Sequence, residues 1–206
     1  VNFSTQHDIR LSKLLKDKGI DTVCDLEIDH LAMVFNAMVI KGERNKCYYE
    51  DDFALIELNV NQSLRRMRKA FFHELAHIVS HYGDQRRMSQ DFKTYQESQA
   101  KWFSLYLAMP KHIFEPLLLK HPCIETLQSL FELPHSMIVD RVGTIKRERK
   151  RYTHQMRFQR KELNLRKKSL QPGEINDSTL DILKQLEKQI GDEQLNEHTK
   201  SLLRGY

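Results

Sequence analysis

From Ser63 to Tyr82 the chain runs without a proline or a glycine, and inside that stretch stands His73-Glu74-Leu75-Ala76-His77. Ser63 suits a helix N-cap and Gly83 a stop, while Ala70, Phe71, Leu75, Ile78 and Val79 supply apolar faces for packing. The segment is therefore expected as one long helix. On a helix, residues four apart leave the same face with about 6 Å between them. Two imidazoles placed this way can reach one ion, and the glutamate between them borders the position left open. This motif constrains the fold more than any other feature, because it demands a second element that brings a further donor over the histidine pair.

A catalytic zinc normally takes three protein donors and keeps one position for water or substrate. Glu97 is the candidate third ligand. It lies near the start of a helix read from Thr94 to Met109, which Pro110 stops and whose Ala100, Phe103 and Leu107 are spaced to pack inward. The expected metal ligands are thus His73, His77 and Glu97. Glu74 is assigned as the general base that takes a proton from the attacking water and later delivers it to the leaving amine. Two histidines and one carboxylate suit Zn2+, and Mn2+ or Fe2+ fit the same donors.

His81 is a poor third ligand. It lies eight residues beyond His73, about 12 Å along a helix, so it is read as a helix-end or supporting residue. Asp91 stands in a presumed loop as a nearby alternative to Glu97. His112, His121, His135 and His154 lack partner spacing and are read as ordinary. Tyr82, Tyr95, Tyr106 and His135 have the chemistry of an oxyanion stabiliser, and none is singled out.

Around this centre the chain reads as mostly helical α+β. Residues 1 to 20 form a helix stopped by Gly19, and a second helix, capped by Asp29, covers about Leu31 to Val39. Aromatic and β-branched residues between Cys47 and Val60 suggest a hairpin or a pair of strands, within a small sheet of about three. The segment Ala54 to Val60 is also read as a strand whose free edge could take an extended peptide. Helices follow at Ile113 to Lys120, Glu125 to Phe131 and Ser136 to Arg151. Pro172-Gly173 breaks the chain before an amphipathic helix with Leu180, Leu183, Leu186 and Ile190 on one side.

Charge divides the sequence unevenly. Residues 145 to 168 hold eleven Lys/Arg against two Glu, whereas residues 169 to 206 hold four against seven acids. The basic run could contact phosphates, but a solvated helix face, a protein partner or packing against the acidic C-terminal helix is the preferred reading. Cys24, Cys47 and Cys123 form neither a disulfide framework nor a CxxC site, which fits a reducing cytoplasm. No apolar run is long enough to span a bilayer, and the N-terminal residues lack the pattern of an export signal.

Taken in order, these segments resemble the ImmA/IrrE metallopeptidases. The HExxH helix ends in a further histidine, His81, and is followed by Glu97-Ser98-Gln99-Ala100-Lys101-Trp102-Phe103, closing at Leu107-Ala108-Met109-Pro110. Leu127 to Val142 looks like that family's helix-turn-helix-like segment. The resemblance covers about residues 28 to 147. Ala76 stands where glycine is commoner, and Lys101 and Ser104 where Asn or Asp and Ala are usual; none is a proposed ligand.

The expected organisation is a zincin-like core over 1–110, a helix-turn-helix-like helical segment over 111–151, and a basic then acidic helical extension over 152–206, the last read from its charge and helical spacing. The resemblance implies a metal-dependent endopeptidase acting on an intracellular protein, a helix-turn-helix repressor of a prophage or mobile element, or a stress-response regulator. The alternative is a regulatory protein that inactivates a repressor by binding without cutting it. DNA binding in its own right is the third and least favoured reading.

Overall fold

The computed structural model describes residues 5–50, 53–80, 89–166, 177–191 and 194–204. Two compact units divide the chain, residues 1–149 and 150–206.

The first unit opens with α1 (Gln6–Asp17), whose Thr5 side chain caps the first turn by accepting from the Asp8 amide. It ends where Gly19 takes the left-handed conformation. A 3-10 turn (Cys24–Leu26) leads into α2 (Ile28–Val34). This helix is shorter than the sequence suggests. Glu27 occupies the N-cap position expected of Asp29, and Asn36 adopts a positive φ of 52° that ends helical geometry. Residues 37–39, read as helical, instead begin strand β1 (Ala37–Gly42).

Strands β2 (Lys46–Glu50) and β3 (Phe53–Asn59) form the expected hairpin, and β1 pairs with β3 in parallel, giving the order β1-β3-β2. In β3, Ala54, Ile56 and Leu58 are buried while the alternate residues face outward, the period-two pattern of a sheet packed on one side. The expectation of a free edge on Ala54 to Val60 is wrong, because β3 is the central strand with both edges paired. The outer edges belong to β1 and β2.

Helix α3 (Leu64–Ser80) carries the His-Glu-x-x-His motif beneath the sheet, and α4 (Gln90–Ala108) packs against it. Ser89, not Thr94, caps α4: its hydroxyl accepts from the Phe92 amide, whereas the Thr94 hydroxyl donates back to the Gln90 carbonyl inside the helix. Then come α5 (Lys111–Lys120), α6 (Ile124–Phe131) and α7 (His135–Arg166). The turn from α6 to α7 is made by Glu132 at φ 51°, Leu133 and Pro134. The core of this unit joins Leu15, Leu31, Ile56, Phe71, Leu75, Leu107, Phe114, Phe131 and Ile138, contributed by β3 and by α1 through α7.

One ion pair lies wholly inside that core. Arg141 on α7 makes a fork to the Asp8 carboxylate of α1 at 2.9 and 3.0 Å and donates its Nε to the Met109 carbonyl, and neither side chain has any exposure. Its guanidinium also lies over the Tyr106 ring. The pair thus fastens the first helix to the last one of the unit.

In the second unit α7 continues to Arg166, and α8 (Asp177–Ile190) and α9 (Glu197–Arg204) pack on each other. Every residue from 153 to 165 is exposed. The expected packing of the basic run against the acidic C-terminal helix therefore buries none of those positions. Among the described residues, no helix is long and apolar enough to cross a membrane.

Candidate metal centre

Burial of Phe71, Phe72, Leu75 and Ala76 against the sheet and α4 fixes the rotation of α3. His73 and His77 are thereby turned together toward α4. On that helix Ala100 and Phe103 are buried, which leaves Glu97, one turn before Ala100, at the rim of the contact. Small residues at 76 and 100, both fully buried, suit a close approach of the two helices.

The three expected ligands meet. His73 Nε2 lies 3.1 Å from Glu97 Oε2, His77 Nε2 lies 3.4 Å from Glu97 Oε1, and the two Nε2 atoms are 3.3 Å apart. Each of these distances, the two to Glu97 ending on different carboxylate oxygens, is close to the spacing, about 3.3 Å, between two donors of one tetrahedral zinc at about 2.0–2.1 Å. Two imidazole nitrogens and a carboxylate converging on one point are also the donor types that a divalent cation takes. The donor set therefore fits a single divalent ion, and among the described residues it is the group that could hold one.

Exposure gives the centre a direction. The side chain of His77 is 7% exposed, that of His73 31% and that of Glu97 54%, so the triangle runs from core to surface. A substrate arriving from solvent meets Glu97 and His73 first.

Glu74 is half-buried on the same helix. Burial, and after it the neighbouring negative charge of Glu97, push its carboxyl up to about 7. A cation among the ligands opposes the second cause by neutralising that charge.

The remaining sequence candidates separate clearly. Asp91 is not in a loop but in the first turn of α4, about 9 Å along the helix from Glu97, and it is outside the donor group. His81 and Tyr82 lie outside the described residues. Tyr106 is buried beneath Arg141, and Tyr95 accepts a hydrogen bond from Gln99 Nε2. His112 has a structural role that spacing could not reveal: its Nδ1 meets the Ser12 hydroxyl at 2.8 Å and its Nε2 meets the Ile20 carbonyl at 2.8 Å, tying α5 to α1. Arg68, also missed, is buried on α3 and reaches back to Glu27 and the Leu26 carbonyl. Nothing in its local sequence marks it, since these two partners lie some forty residues earlier and a third, Glu132, lies far downstream.

Comparison with known proteins agrees with this geometry. The profile of a peptidase family, described as the IrrE N-terminal-like domain, matches residues 25–142 and so takes in both helices of the centre. A Mycobacterium tuberculosis transcriptional regulator has a similar fold, with a TM-score of 0.51 at 15% identity. The match covers 69% of this chain and 57% of that one, so this chain spans little more than half of the regulator's length. Comparison with curated proteins gives no match. The profile match extends over more than half of the sequence and includes the His, His and Glu that meet in space; the chain belongs to the ImmA/IrrE family of metallopeptidases.

Proposed function

We propose that this protein is a metal-dependent endopeptidase in which His73, His77 and Glu97 hold the ion and Glu74 is the general base. The observation that carries the reading is the convergence of His73, His77 and Glu97, with donor separations of 3.1, 3.3 and 3.4 Å, from two helices. A divalent ion held there, most simply Zn2+, supplies a Lewis-acid charge for a peptide carbonyl and for water. The chain's own residues do the rest. His77, nearly buried, anchors the centre in the core, and Glu97 closes it on the solvent side. Glu74 takes the proton of the attacking water on a carboxylate oxygen and hands it to the leaving amine.

The substrate we favour is a helix-turn-helix repressor of a prophage or mobile element. Family membership supports a regulatory target. A metal-loaded sample incubated with the repressor encoded beside its gene should yield discrete fragments. The same incubation with Glu74→Gln should yield none. Intact repressor after incubation with the metal-loaded wild type, together with loss of its DNA binding, would favour inactivation by binding alone.

A further inference from the structure

Beyond Arg149 the helix α7 presents two different faces. Lys150, His154, Arg157 and Lys161 follow the spacing i, i+4, i+7, i+11, so they share one face over about 16 Å of helix. Arg151 and Arg160 flank this line, and Glu162 is the one acid from residue 150 to 165. Tyr152, Met156, Gln159 and Leu163 follow the same spacing and fall on the opposite side. All four residues of this line are exposed, and Lys150, Arg157 and Lys161 carry its positive charge. No ion pair with a described residue is formed by Lys150, Arg157 or Lys161. Like charges four apart, as at Arg157 and Lys161, work against the helix unless an external anion compensates them.

The chemistry that matches such a line is a linear array of phosphates. We propose that this face of α7 lies along the phosphodiester backbone of duplex DNA and holds the protein there without reading base sequence. Three observations favour this partner. Phe158 and Leu165, which are 62% and 68% exposed, stand on the basic side and not with Met156 and Leu163, so no continuous apolar face exists to enter a membrane interface. Tyr152 and Phe158 lie on different faces and offer no platform on which successive single-stranded bases could stack. The helix-turn-helix-like segment is ill-suited to the task, because its only Lys/Arg from Ile124 to Ile145, Arg141, is buried and committed to Asp8. The basic line also lies past the residues matched by the family profile, which end at 142.

The test is fluorescence anisotropy of the full chain with a short random-sequence duplex, over about 50 to 200 mM salt. Wild type should bind with an affinity that falls steeply with salt. In a Lys150→Ala/Arg157→Ala/Lys161→Ala variant the log–log salt slope should drop by about 2.7, and the affinity at low salt by at least about tenfold. Alanine favours helix, so circular dichroism should be unchanged, and Lys150→Arg/Lys161→Arg should bind as wild type does. Met156→Gln/Leu163→Gln on the opposite face should leave the slope intact. Absence of salt-sensitive binding by wild type, an unchanged slope in the triple variant, or retention on phosphatidylserine vesicles but not on duplex DNA overturns the proposal.

Discussion

At the centre of the molecule the argument turns on single side chains, and Glu97 is the most informative. It comes from a different helix than the two histidines, so its presence in the donor triangle depends on tertiary packing. Groups that merely support a ligand change metal affinity by about 10–100-fold when removed; Glu97→Ala, which deletes a donor, should lower affinity by at least that much. Glu97→Gln should fall between, since a neutral carbonyl donates less to a cation than a carboxylate. Isothermal titration of the metal-free variants measures both, and Glu97→Ala retaining wild-type affinity would remove it from the site. Glu74→Gln tests the other role. Because Glu74 lies outside the donor triangle, the variant should bind the ion as wild type does while any cleavage falls by about 10²–10⁴. A variant that loses the ion together with activity would show Glu74 to be structural.

Between elements, the Asp8–Arg141 pair joins α1 to α7 across 133 positions of sequence. Both partners are fully buried, so removing one strands the charge of the other. Asp8→Ala or Arg141→Met should each cost about 3–5 kcal/mol in urea unfolding. The double variant should be less destabilised than the sum, because no charge is left unpaired. Strict additivity would mean that the fork contributes no coupling. Nothing in the sequence announces this pair, since each residue looks locally like a surface charge on a helix. Other elements were legible to the extent that their signals are local. Helix α3 could be read from its unbroken apolar pattern, and the β2–β3 hairpin from alternation. Strand β1 was hidden because Leu31, Phe35 and Met38 also satisfy helical spacing, and only the left-handed Asn36 separates helix from strand. The pairing of the second edge of β3 was hidden for the same reason, as it depends on β1.

On the scale of the whole chain, the metal centre was readable because its ligands combine a short motif with one helix-sized spacing, while the use of the basic run was not. Charge counting finds the run, but whether a neighbour covers it is a tertiary fact, and the exposure of residues 153 to 165 supplies it. Side-chain links from α7 to α5 include Glu148 to Lys111 at 3.0 Å and Arg149 to Glu115 at 2.8 Å, and among the described residues the buried core cluster reaches along α7 to Ile145. A chain ending at Arg149 thus keeps every one of these contacts. It should unfold in a single cooperative transition and bind one ion per chain with the affinity of the full protein. The same truncation removes Lys150, Arg157 and Lys161, so it should lose most of the salt-dependent retention on duplex DNA. Calorimetric unfolding, ion titration and anisotropy on that one variant measure all three. Loss of the ion would show that the centre depends on residues beyond 149, and undiminished DNA binding would place the phosphate contacts within the first unit.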